Sequence, residues 1–154
     1  MDATQTLAEA LEREHREIDR AIDAFLSGGV EQRDEFLNQA MEALRRHIYL
    51  EEEFLFPPLR EAGFVAPVFV MVREHGELWR TMETIERELG AGEAGPELAG
   101  QCKWLLAQLE NHDAKEEPIL YPHADRVLAG QASTDLRAFI ESGRMPDGWT
   151  CAEA

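Results

Sequence analysis

His47-Ile48-Tyr49-Leu50-Glu51-Glu52-Glu53-Phe54-Leu55-Phe56-Pro57 returns sixty-five residues later as His112-Asp113-Ala114-Lys115-Glu116-Glu117-Pro118-Ile119-Leu120-Tyr121-Pro122. Six positions match at the same offsets: the histidine, both glutamates of the Glu-Glu pair, the leucine, the aromatic residue and the final proline. In each copy a glutamate follows the histidine by four residues, a spacing that stacks both side chains on one face of a helix. Two such faces turned toward each other bring together two imidazoles and two carboxylates. That is the donor inventory of a metal site built in duplicate.

A second repeat precedes each copy. Glu14-His15-Arg16-Glu17-Ile18 matches Glu74-His75-Gly76-Glu77-Leu78, sixty residues on. The chain therefore reads as two halves, each a Glu-His helix followed by a His-x3-Glu helix. Apolar residues spaced by threes and fours extend these motifs into long amphipathic helices. The first runs from about Thr6 to Leu26 with Leu7, Leu11, His15, Ile18, Ile22 and Phe25 inward, and Gly28-Gly29 stops it. The second runs from about Glu31 to Leu55, where Pro57-Pro58 must end or kink it. The third starts near Pro67 and reaches Leu89, ahead of a loop at Gly90–Gly95. The fourth opens at Pro96 and is disturbed at Pro118 and Pro122. A short fifth helix spans Thr134 to Ser142, and the tail after Gly143 reads as irregular. No strand-like alternation is present. The expectation is an all-α fold, an antiparallel four-helix bundle with a short C-terminal helix, comprising residues 1–143 with a tail at 144–154.

The bulk properties suit one soluble domain. The chain has 154 residues, enough for one sizeable core, with 44% hydrophobic and 30% charged residues. A net charge of −16 argues against nucleic acid or an anionic membrane as partner. The first residues carry no basic stretch followed by an apolar run, and no segment approaches the ~20 apolar residues of a membrane span. Cys102 and Cys151 form no paired motif, which fits a reducing, cytoplasmic setting.

On all four long helices a histidine or glutamate interrupts the apolar stripe. Buried polar groups need partners, since leaving one unpaired costs about 1–3 kcal/mol. A shared metal supplies partners to His15, His47, Glu51, His75, His112 and Glu116 at once. Imidazole suits iron, zinc, copper or nickel, while a carboxylate is harder and can bridge two ions. Six donors exceed what one tetrahedral zinc needs. Four histidines and two glutamates fit two ions, each with two imidazoles and both carboxylates shared, completed by a bridging oxide or hydroxide. Glu52 and Glu117 lie about 140° off the donor face at helical spacing and are read as supporting or solvated residues.

Glu14-His15, His47-x3-Glu51-Glu52 with Phe56-Pro57, Glu74-His75, and His112-x3-Glu116-Glu117 with Tyr121-Pro122 together resemble the hemerythrin-like, or HHE cation-binding, family. The resemblance covers roughly residues 8–128. It implies a four-helix bundle around a non-haem centre of two iron ions, where zinc or manganese could occupy the same ligands in a purified sample. Two departures from hemerythrin proper stand out. Trp79 takes the place of a second histidine one turn after His75, and Glu116 serves instead of an aspartate at the offset of Glu117. The resulting set of four histidines and two glutamates is more similar to the di-iron domain of the repair-of-iron-centres proteins. With the fifth histidine gone, the two ions are expected to be equivalent and both open to an exogenous ligand, with Trp79 as a pocket wall.

Phe56 and Tyr121 are read as packing residues near the kinks, His123 as a surface residue, Cys102 as a half-buried helix residue and Cys151 as a tail thiol. Trp149 either tucks onto the helices or contacts a partner. The function expected is binding of, or reaction with, a small ligand (O2, NO or peroxide) in oxidative or nitrosative stress or sensing, with an electron donor of unknown identity. If the chain is an enzyme, its chemistry is turnover of peroxide or NO. The competing expectation is storage, sensing or donation of iron.

Overall fold

The computed structural model describes residues 4–28, 33–92 and 96–154, and among these every regular element is helical. Four long helices carry the repeats: α1 (Leu7–Leu26), α2 (Arg33–Leu50), α4 (Val65–Gly90) and α5 (Pro96–Ile119). Shorter ones follow the two His-x3-Glu segments and close the chain: α3 (Phe56–Glu61), α6 (Tyr121–Val127) and α7 (Gln131–Ser142). The long helices pack as a closed ring, α1 on α2, α2 on α4, α4 on α5 and α5 on α1. That ring is consistent with the expected antiparallel bundle.

The local chemistry accounts for the boundaries. Thr6 caps α1: its hydroxyl accepts from the Glu9 N–H while the Glu9 carboxylate accepts from the Thr6 N–H. Gly28, at φ +71°, turns the chain after Ser27. The expected stop at Gly29, the start of the second helix at Glu31, and the loop positions 93–95 lie outside the described residues. The second helix differs from expectation at its far end. It neither stops nor simply kinks at Pro57-Pro58. Residues Glu51–Leu55 widen into one π-helical turn in which the Phe56 N–H donates to the Glu51 carbonyl, and α3 continues from there. The prolines then sit in the first turn of α3, where a missing N–H costs nothing. In the other half, Pro118 lies in the last turn of α5, and α6 begins at Tyr121, with Pro122 in its first turn. α7 starts at Gln131, three residues before the expected Thr134.

The inward stripe expected for α1 is buried in full. Apolar residues form two clusters. One gathers Ile18, Phe25, Leu44, Leu78, Ile85 and Leu105. The other gathers Leu7, Leu11, Leu50, Phe56, Met71 and Tyr121. Truncating a fully buried aromatic such as Phe25 to alanine would cost about 3–5 kcal/mol. His15, His75 and His112 lie between the two clusters along their helices, and His47 lies near their boundary, with Ile48 of the first cluster and Leu50 of the second following it.

The C-terminal tail is folded against the helices. Trp149 makes edge-on contacts with Tyr49 and Trp79, Cys151 is 3% exposed within the first cluster, and Arg80 donates to the Glu153 carbonyl. Cys151 is thus a core residue rather than a loose tail thiol, and Trp149 tucks onto the helices. Among the described residues, no helix is long and apolar enough to cross a membrane.

Candidate metal centre

All six expected donors meet in the middle of the helices, each 5% exposed or less. They fall into two overlapping groups. His15, His47, Glu51 and Glu116 present donor atoms within 4.8 Å of one another, and so do Glu51, His75, His112 and Glu116. The two glutamates belong to both groups, one oxygen to each. Glu51 Oε2 faces His47 Nε2 at 3.4 Å and its Oε1 faces His75 Nε2 at 3.0 Å. Glu116 Oε1 faces His15 Nε2 at 3.2 Å and its Oε2 faces His112 Nε2 at 3.5 Å. Two carboxylates so placed could each offer one oxygen to either group.

The outer nitrogen of each of these four histidines meets a carboxylate. His15 Nδ1 lies 2.9 Å from Glu117, His47 Nδ1 2.8 Å from Glu14, His75 Nδ1 2.6 Å from Glu52, and His112 Nδ1 2.9 Å from Glu74. The four contacts run around the ring, each helix handing a carboxylate to the histidine of a neighbour. A carboxylate on Nδ1 holds the proton there and turns the Nε2 lone pair inward, as metal-ligating histidines require. The supporting part read for Glu52 and Glu117 is therefore seen, directed at the histidine of another helix. The same part for Glu14 and Glu74 was not drawn from the sequence, although their duplication beside His15 and His75 was its signal.

The donors fit a cation better than they fit one another. His15 Nε2 and His47 Nε2 stand 3.0 Å apart, two lone pairs facing when both rings are neutral. Glu116 Oε2 is buried without a hydrogen-bond partner. The protonation of the ring nitrogens reflects the same tension. Burial opposes charging, yet Glu116 and Glu117 raise His15 to about 9, and Glu116 and Glu74 raise His112 to about 10. Burial also opposes ionisation of Glu51, but His47 and His75 hold it well below the carboxylate range. Protons on the imidazoles thus do the work a cation would do in their place.

Tyr121 is the residue whose place the sequence did not reveal. Its hydroxyl lies inside the first group, 2.7 Å from Glu51 Oε2, 3.0 Å from Glu116 Oε1, 2.8 Å from His15 Nε2 and 3.1 Å from His47 Nε2. Its counterpart Phe56 stacks on His75 with ring centroids 5.5 Å apart and brings no oxygen. Burial and the two glutamates push the Tyr121 phenol well above its ordinary value, so it keeps its proton in this arrangement. The donors repeat with twofold regularity, but the fifth oxygen is present on one side alone.

Trp79 is 4% exposed between the Arg45 guanidinium and Trp149. His123 packs on Phe64, and Cys102 is fully buried. Both thiols are free, and burial raises each to about 11, which suppresses the reactive thiolate.

Residues 6–124 match the family model of the hemerythrin HHE cation-binding domain. Among curated proteins, the chain is 25% identical over 118 residues to the uncharacterized protein Mb2018 of Mycobacterium bovis, and equally to MT2051 and Rv1995 of Mycobacterium tuberculosis. The aligned part is 68% of this chain and 46% of each relative, so the chain spans less than half the length of those proteins. No solved structure matches. With its duplicated histidine–glutamate core and a family match over most of its length, the chain belongs to the hemerythrin HHE cation-binding domain family.

Proposed function

We propose that the chain is a non-haem di-iron protein that binds or reacts with a small ligand such as O2, NO or peroxide. In this reading the four long helices are an antiparallel four-helix bundle whose centre is ligated by His15, His47, Glu51, His75, His112 and Glu116. The observation that carries it is the split of Glu51 and Glu116, each giving one oxygen to each of two four-residue groups. Iron, when bound, supplies a redox-active pair able to take up a small ligand. The protein's own part is to orient and to exclude. Glu14, Glu52, Glu74 and Glu117 fix the four imidazoles, and the apolar clusters above and below keep bulk water from the pair. Tyr121 holds a hydroxyl proton among the donors of one half, where it can donate a hydrogen bond to a ligand of that half. Two free thiols support a cytoplasmic setting.

Iron handling is the second reading, favoured by an acidic cleft that reaches His15 between α1 and α5. Stopped-flow mixing of the Fe(II)-loaded protein with O2, NO and H2O2 separates the two. A reversible adduct or turnover of one oxidant supports small-ligand chemistry, and prompt loss of iron on NO exposure supports donation. Absence of any reaction would remove the small-ligand function.

A further inference from the structure

Matching the two halves by their histidines pairs Arg16 with Gly76, Asp19 with Trp79, Glu110 with Arg45 and Asp113 with Ile48. The donors at the centre are kept in this pairing, but the residues leading to it are not. On one side, next to His75 and Glu52, the C-terminal tail closes the surface. The Ala152 N–H donates to Glu52 at 2.9 Å, the Trp149 indole donates to Glu53 at 3.2 Å, and Trp149 lies on Tyr49 and Trp79. Gly76 makes this possible, because a Cβ there would stand 2.5 Å from the Glu153 carbonyl oxygen.

Among the described residues, none covers the twofold-related place next to His15 and Glu117 in this way. It is a cleft of about 440 Å3 between α1 and α5, lined by His15, Asp19, Asp23, Glu110, Asp113 and Glu117 among others. Among the described residues, Arg16 is its one basic wall residue besides the histidine. Where the sealed half buries Ile48, this half buries Asp113. The residue is 9% exposed and its side chain 12%, and its Oδ1 has no hydrogen-bond partner, with the basic nitrogen His15 Nδ1 standing 3.5 Å away. His15, Asp113 and Glu117 can bring one donor atom each within 4.8 Å of one another. A buried carboxylate with an unpaired oxygen, at the inner end of an anionic cleft, is a place built for something positive.

We propose that the α1/α5 cleft is the port through which a hydrated divalent cation reaches the centre, with Asp113 and Glu117 as its transit site beside His15. The tail makes the port one-sided. The carboxylates of the cleft concentrate cations at its mouth, and Asp113 replaces lost water at its inner end. A neutral diatomic gains nothing from this charge.

The proposal rests on the reading of the core as a metal centre, and one experiment keeps the two distinct. Metal-free wild-type chain and single variants are mixed with Fe(II) anaerobically, and uptake is followed both as a rate and as final occupancy. Asp113→Asn, nearly the same in shape, should slow uptake roughly tenfold while reaching wild-type occupancy. Asp19→Asn, nearer the surface, should slow it less. Glu83→Gln, which removes a charge at the position equivalent to Asp23 on the sealed side, should leave the rate unchanged. Equal rates for Asp113→Asn and wild type would overturn the port, and so would equal slowing by Glu83→Gln. Lower final occupancy in Asp113→Asn would overturn it too, by making Asp113 part of the centre. If wild-type chain takes up no Fe(II), the metal centre itself is wrong and the port falls with it.

Discussion

The His15/His47 half and the His75/His112 half of the core hold the same donors on the same scaffold, yet they differ in what surrounds them. The first has the Tyr121 hydroxyl among its donor atoms and an open acidic cleft outside. The second has Phe56 in place of the tyrosine and a folded tail over the equivalent cleft. A duplicated motif therefore gives the two halves the same set of histidines and glutamates in different surroundings. The twofold regularity belongs to the six buried histidines and glutamates at the centre; the departures belong to the residues around them. The equivalence expected from the absence of a fifth histidine does not extend to Tyr121.

The largest effect should come from removing what the two halves share. Glu116 gives an oxygen to each group, so Glu116→Ala should strip both ions and leave close to no bound iron per chain by elemental analysis. His47→Ala touches one group alone and should leave about half the wild-type content, as should His112→Ala in the other group. Full occupancy in any of the three would take that residue out of the ligand set. The next effect concerns the carboxylates behind the histidines. Glu52→Gln and Glu117→Gln each loosen one imidazole in opposite halves and should each weaken iron binding about 10–100-fold. Titration against a competing chelator reads this directly, and wild-type affinity in both variants would count against an orienting role.

How much of this was legible in the chain follows from geometry. The histidine and glutamate donors are read from spacing because each lies on the inward stripe of its own helix, where a period of 3.6 residues is decisive. Glu14 and Glu74 precede their histidines by one position, about 100° around the helix. They face a neighbour, so their role needs the order of helices in the ring. Tyr121 follows Leu120, where α5 has ended and the periodicity no longer carries across. The π-helical turn at Glu51–Leu55 similarly adds a residue to the repeat, letting Glu51, Leu55 and Phe56 all be buried. Trp149 and Cys151 lie in an irregular tail without a stripe to reveal which of them is covered.

A smaller effect separates the metal-free protein from the loaded one. His15 and His112, one from each half, hold their protons up to about 9 and about 10 against an ordinary 6.5. Raised folded-state values stabilise the fold fully below about 6.5, and that contribution is lost as pH rises through 9 to 10. The metal-free chain should therefore melt at progressively lower temperature from pH 7 to pH 10. The iron-loaded chain should not, since the cation has displaced those protons. A flat melting profile for the metal-free chain would mean that the imidazoles are neutral there. The subtlest change is Tyr121→Phe, which gives both halves a phenyl ring. Mössbauer spectra of the diferric protein should show two iron environments in the wild type, converging toward one in the variant. A single environment in the wild type would deny Tyr121 its influence.

Whether the duplicated motif holds two ions side by side is decided by anomalous diffraction at the iron edge, from crystals of the iron-loaded wild-type chain. Two peaks are expected, one among His15, His47, Glu51 and Glu116 and one among Glu51, His75, His112 and Glu116. A single peak between the glutamates, or none in the core, would contradict a two-ion centre.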